Sequence, residues 1–220
     1  PAAGREELFR AAIRAIRAKC DILVQVSTGG AVGMSVDERC GGLKLTGADR
    51  PDMATLTTGT VNFGPDVFWN PRPLVRDIAT RIKQLGLKPE IECFDVGMID
   101  EARALAKEGF IDLPAHFDFV LGVGGALSAD ERALDFMRSY LPENSTWTCA
   151  AVGRHQLPFV ELVAERGGNS RVGLEDNIYL SKGVLAKGNW ELVHDAAKRA
   201  KAKGRTLATP QQARELLRLT

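Results

Sequence analysis

Residues 116–152 read HFDFVLGVGGALSADERALDFMRSYLPENSTWTCAAV. The run 116–121 is short and apolar enough for a buried strand, and the glycines at 122, 124 and 125 end it. A helix is expected over 128–140, with Ser128 as its cap and Glu131 three residues on, the pattern of a capping box. A second apolar run, 146–152, reads as the next strand. Two strands joined through a helix form a crossover and lie parallel in one sheet.

The same rhythm extends both ways. Upstream, apolar residues at 8, 9, 12, 13 and 16 mark a helix over 6–19. Strands are expected over 21–26, 53–58 and 90–94. Helices are expected over 36–45, 71–85 and 99–108, with Asn70 capping the second of these. Downstream come a helix over 156–166, a strand over 171–174, a helix over 190–203 and a last helix starting at Pro210. The strands are apolar without alternation, as in a parallel sheet covered on both faces. Polar residues and glycines gather after nearly every strand. That favours a closed α/β barrel, the (β/α)8 TIM barrel, over an open doubly wound sheet. Six βα units are visible where a closed barrel has eight. No linker divides the chain, so residues 1–220 read as a single barrel domain, incomplete at its N-terminal side.

Composition narrows the function. The chain has 29 basic and 28 acidic residues, a net charge of +1, which leaves no electrostatic footprint for nucleic acid or an anionic membrane. No apolar run reaches membrane-spanning length, and no signal peptide is visible. Cys20, Cys40, Cys93 and Cys149 are far apart without a C-x-x-C pair, which fits free thiols and a reducing, cytoplasmic setting.

Candidate chemistry lies at the strand ends. Glu175 and Asp176 follow an apolar strand that opens with Arg171. They either face a cavity where the chain bends or serve as helix caps and ion-pair partners of Arg171. Ser27, Thr28, Gly29 and Gly30 offer hydroxyls and backbone N–H groups suited to a carboxylate or phosphate, and they equally describe a tight turn. Thr57, Thr58 and Gly59 are a weaker version of the same pattern. Residues 122–125 lack the third glycine of a dinucleotide loop. His116, His155 and His194 form no H-x-H pair, and only His155 follows a strand end closely enough to line a site. No G-x-S-x-G elbow is present.

Six segments, in order, carry a resemblance. They are VSTGGAVGMSVDER, PDMATLTTGTVNFG, KPEIECFDVGMI, FDFVLGVGGALSA, TWTCAAVGRHQLP and RVGLEDNIYLSKG. Together they resemble the β-keto acid cleavage enzyme family, which includes the 3-keto-5-aminohexanoate cleavage enzyme. The resemblance implies a zinc-dependent (β/α)8 barrel. It implies condensation of a β-keto acid with acetyl-CoA, giving acetoacetyl-CoA or a related β-keto product and a new CoA thioester by a retro-Claisen route. It implies Glu175 as a zinc ligand beside two histidines of an H-x-H motif, Asp176 as the catalytic acid/base and Arg171 as its partner. It further implies Ser27, Gly29 and Gly30 at the substrate carboxylate, Thr57 as another substrate contact, and a homotetramer.

The sequence departs from the family pattern in lacking the H-x-H segment and the first two strands. A shortened fragment accounts for this, as do a natural short paralogue without catalysis and completion by another chain. Two other functional readings stay open: an aldolase-like barrel lyase, and an inactive remnant serving as an oligomerisation or binding module. A barrel short of two strands exposes sheet edges and an apolar interior. The isolated 220-residue chain is therefore expected to be poorly soluble or partly unfolded, and, with one carboxylate in place of a tetrahedral set, not to bind catalytic zinc tightly or turn over. A monodisperse sample with one cooperative melting transition would contradict this.

Overall fold

The computed structural model describes residues 5–31 and 33–219. The helices are α1 (Glu6–Arg17), α2 (Val36–Arg39), α3 (Arg72–Gln84), α4 (Val96–Lys107), α5 (Glu131–Ser139), α6 (Gln156–Glu165), α7 (Asn189–Ala202) and α8 (Pro210–Leu217). The strands are β1 (Gln25–Val26), β2 (Met53–Thr57), β3 (Val61–Phe63), β4 (Asp66–Phe68), β5 (Lys88–Cys93), β6 (His116–Leu121), β7 (Thr146–Ala151), β8 (Asn169–Arg171), β9 (Tyr179–Ser181) and β10 (Val184–Leu185). Six of them form one parallel sheet in the order β1-β2-β5-β6-β7-β8. The other four form two antiparallel hairpins, β3 with β4 and β9 with β10.

The sheet curls into a half-barrel. Gln25 on β1 passes over β2 to donate to Glu90 on β5 at 2.5 Å. Arg171 on β8 passes over β7 to donate to Asp118 on β6 at 3.0 Å. Both pairs meet on the concave inner face, across an intervening strand.

The convex face carries the apolar core. Leu56, Ile91, Cys93, Phe117, Phe119 and Cys149 are buried there, in one cluster with Val75, Ile78 and Ile82 of α3, Ile99 and Leu105 of α4, Leu134 of α5 and Val163 of α6. The alternate residues on β5 and β6 are polar: Glu90, Glu92, His116 and Asp118. Alternation is therefore present where the sequence reading expected none. Both faces are buried, but the inner one buries hydrogen-bonded polar groups, which fall at alternate positions of the strands.

Several boundaries also differ. The cap of α5 is Asp130 rather than Ser128. The Asp130 carboxylate accepts from the Ala133 N–H at 2.9 Å, and the Ser128 hydroxyl donates to Asp130 at 2.5 Å. A carboxylate at the positive end of a helix outcompetes a hydroxyl. Glu131 is then the first helical residue and pairs with Arg166. Pro71 rather than Asn70 precedes α3, because the Asn70 side chain accepts from Arg39 at 2.7 Å. The expected helix over 36–45 is α2 followed by a 3-10 turn at Gly41–Lys44, where Gly42 lies against Val26 so closely that a Cβ would sit 3.0 Å from the Val26 Cβ. Only Gln25 and Val26 of the run 21–26 pair in the sheet. Strand β8 ends at Arg171 instead of running to Leu174.

Phe119 stacks on Trp147 at 5.8 Å and is fully buried, and Gly168 brings its backbone against the same indole. Replacing Phe119 with Ala is expected to cost about 3–5 kcal/mol of stability, read as a lower urea midpoint at unchanged slope.

Candidate active site

The concave face holds two polar layers. In the deeper one, His116 sits 3.2 Å from Glu90 through Nε2 and 2.8 Å from the Thr146 hydroxyl through Nδ1. Thr148 lies 3.1 Å from Nε2. Burial works against the Glu90 charge, but hydrogen bonds from His116 and Gln25 hold its carboxyl below the usual range.

The upper layer is organised by Arg171. Its Nε and Nη2 donate to the two carboxylate oxygens of Asp176 at 3.1 and 3.0 Å, a bidentate pair. Its Nη1 donates to Asp118 at 3.0 Å and reaches Glu92 at 3.5 Å. Burial opposes the guanidinium charge, yet Asp118, Asp176 and Glu92 raise its pKa above the ordinary arginine value. Thr57 donates to Glu92 at 2.6 Å. Burial pushes the Glu92 carboxyl up against these partners. Asp118 is fully buried and is raised well above the normal range, first by desolvation and then by Glu90. One of its oxygens has no hydrogen-bond partner.

Above this layer opens a cavity of ≈ 670 Å³. Glu92, Arg171, Glu175 and Asp176 line one side, and Ser27, Gly29 and Gly30 another. A third wall is aromatic. Phe63 and Phe68 of the β3–β4 hairpin meet Phe94 edge to face, with ring centroids 6.1 to 6.3 Å apart. The hairpin is latched by the Gly64 N–H donating to the Gly124 carbonyl at 2.9 Å. A Cβ on Gly125 would lie 2.5 Å from the Asn62 Cβ. The glycines after β6 thus serve close approach of the hairpin.

A family model for the beta-keto acid cleavage enzyme matches residues 2–219. The chain belongs to the beta-keto acid cleavage enzyme family. It is 50% identical over 216 residues to the 3-keto-5-aminohexanoate cleavage enzyme of Fusobacterium nucleatum, covering 97% of this chain and 77% of that protein. It is 45% identical over 202 residues to the 3-oxoadipate:acetyl-CoA acetyltransferase of Cupriavidus necator, covering 90% and 69%. Among solved structures, the ternary complex of ObcA with a C4-CoA adduct and oxalate superposes with a TM-score of 0.80 at 21% identity, a likeness of fold alone. That match covers 98% of this chain, which spans 56% of the ObcA chain. Membership in this beta-keto acid cleavage enzyme family makes the chain one of an enzyme family.

Five of the residues singled out in the sequence line the cavity directly, Ser27, Gly29, Gly30, Arg171 and Asp176, and Glu175 joins them at its rim. Glu175 is 89% exposed at its side chain and lies 3.9 Å from Arg171. Thr57 is buried beneath the cavity, with its hydroxyl committed to Glu92. His155 sits outside the lining, edge to face with Phe159. Glu92 and Asp118 escaped the sequence reading. Their signal was the pair of alternating polar positions at 90 and 92 and again at 116 and 118. No three His, Cys, Asp or Glu side chains converge as a metal site among the described residues. Glu175 alone supplies one carboxylate where tetrahedral zinc takes four ligands, so the side chains described do not fit the ion.

The Asp118 shift has a pH signature. A carboxyl raised by folding binds its proton more tightly in the native state, so its contribution to stability falls as pH rises above the unfolded value of about 3.9 towards the native one. Asp118→Asn removes this dependence. The stability of the variant relative to wild type is expected to rise as pH increases above about 4 in urea titrations. A pH-independent difference would contradict the shift.

Proposed function

We propose that this protein performs acetyl-CoA-dependent cleavage of a β-keto acid, with Asp176 as the base. The observation that carries the reading is the bidentate Arg171–Asp176 pair on the wall of a cavity that also exposes Ser27, Gly29 and Gly30. The fork fixes the plane of the carboxylate and so the direction in which its oxygens meet a substrate proton. The side chain of Asp176 is 8% exposed, which shields the base from bulk water.

Ser27 and the glycines after it hold the substrate carboxylate. The Ser27 Oγ accepts from the Gly29 N–H at 3.1 Å, which leaves its own proton free to donate. Asp176 takes a proton from the carbon between the keto and carboxylate groups. The resulting enolate carbon forms a bond to the thioester carbonyl of acetyl-CoA, and the thiolate leaves. That thiolate then adds to the original keto carbon. The bond between it and the central carbon breaks, and Asp176 returns the proton to the carbanion. A single CoA enters, so a single thioester leaves. The partner product is free acetoacetate, which overrules the pairing of acetoacetyl-CoA with a second thioester.

The names of the relatives support acetyl-CoA as co-substrate and leave 3-keto-5-aminohexanoate and 3-oxoadipate as candidate acids. The family resemblance adds zinc on Glu175. No step above passes through it, because the described side chains do not form its site. The half-barrel is read as three-quarters of a closed (β/α)8 barrel, whose unpaired edges are β1 and β8. A cytoplasmic homotetramer completes the reading.

Incubation with 3-keto-5-aminohexanoate and acetyl-CoA, followed by mass spectrometry, is expected to yield acetoacetate and one new CoA thioester. Asp176→Asn is expected to lower kcat by about 10²–10⁴-fold at unchanged fold. Cleavage that proceeds without acetyl-CoA would establish a lyase instead.

A further inference from the structure

Among the described residues, Arg39 is a buried cation with no carboxylate in hydrogen-bonding contact. It closes α2 and is 5% exposed. Its Nε donates to the Thr28 carbonyl at 2.8 Å, its Nη1 to the Trp69 carbonyl at 3.3 Å, and its Nη2 to the Asn70 side-chain oxygen at 2.7 Å. Its guanidinium lies 5.5 Å from the centroid of the Phe68 ring. Among the described residues every direct partner of Arg39 is a neutral oxygen or a π face. Most other buried or half-buried arginines here pair with acids, as Arg171 does with Asp176. Burial draws the Arg39 pKa below its ordinary value, opposed by Cys40 and Glu92.

The position of this charge is specific. Thr28 belongs to the turn at 27–30, and Phe68 lines the cavity. A Cβ on Gly30 would come within 2.6 Å of the Arg39 Cγ, and Gly30 has φ +68. The turn is thus pressed onto the arginine stem, and only glycine allows both the approach and the backbone angle. Thr28 ties the turn's other side to β2, its N–H donating to the Thr55 hydroxyl at 2.9 Å and its own hydroxyl donating to the Thr55 carbonyl at 2.7 Å. Arg39 therefore holds two walls of the cavity at once, with a full positive charge one layer behind the Ser27 turn. An uncompensated buried cation is costly unless an anion completes it.

We propose that Arg39 is a positioning and specificity-determining residue: its unneutralised charge, held behind the turn at 27–30, selects an anionic group at Ser27 over a neutral isostere. This rests on the assignment of that turn to the substrate carboxylate. The selected class is a carboxylate on a short keto chain, and Arg39 acts on it through the turn without touching it.

The test compares binding of acetoacetate and acetoacetamide by calorimetry to wild type, Arg39→Gln and Arg39→Lys. Wild type is expected to prefer the acid. Arg39→Gln is expected to narrow that preference by at least about tenfold, as losing a unit charge a few ångströms away does at interior effective dielectric. Arg39→Lys keeps the charge without the fork and is expected to retain the preference while binding both probes more weakly. A loss in Arg39→Gln that is equal for acid and amide marks a merely structural clamp and overturns the inference. Wild type without any preference for the acid overturns the carboxylate assignment itself, and the inference with it. Should Arg39→Gln fail to fold, the Arg39 Nε–H resonance of wild type decides. A shift with acetoacetate and none with acetoacetamide supports the charge role, and equal shifts refute it.

Discussion

A single guanidinium ties the concave face together. Arg171 stands at the last residue of β8, an edge strand, and its side chain bridges to Asp118 on β6, Glu92 on β5 and Asp176 in the following turn. No Lys could replace it, since a point charge on a flexible stem lacks the planar fork that serves three directions at once. Glu92 and Asp118 are both driven by burial towards their neutral forms, and Arg171 is what keeps ionised oxygen tolerable at this depth. Removing the arginine would leave acids buried without a counter-charge, a defect that typically costs about 3–5 kcal/mol. The Arg171 contacts thus join one wall of the cavity to the inner face of the sheet.

The two faces of the sheet divide the labour. Outward residues such as Phe117, Phe119 and Ile91 supply packing against the helices. Inward residues supply a hydrogen-bonded network that fixes the positions of its members. Thr57 illustrates the difference. It is buried like a core residue, yet its contribution is to orient Glu92 rather than to fill space.

Much of the architecture was legible because glycines and prolines punctuate apolar runs at a regular interval, and the βα rhythm survives errors of a few residues at each boundary. The cavity residues after the strands were legible for the same reason, since Ser27, Arg171 and Asp176 lie beside turn signals. Glu92 and Asp118 were not, because single acids inside strands look like isolated exceptions until the sheet places them opposite one another. The β3–β4 hairpin was also missed, although its Gly64-Pro65 turn, with Gly64 at φ +62, is an explicit signal. Asn70 shows how tertiary demand overrides a local rule, for its side chain serves Arg39 instead of a helix end.

The last helix, α8, draws distant parts of the chain to one point. Arg214 donates to Asp21 and to Asp52, both at 3.0 Å, across 193 and 162 residues of sequence. During synthesis the start of the sheet leaves the ribosome long before the side chain that clasps it. Until α8 arrives, the carboxylate of Asp52 still has Arg17 and the Val24 N–H, but the clasp between the two acids is open. The residues flanking the first two strands therefore emerge before the arginine that joins Asp21 to Asp52. This makes the order of chain emergence a feature of the fold.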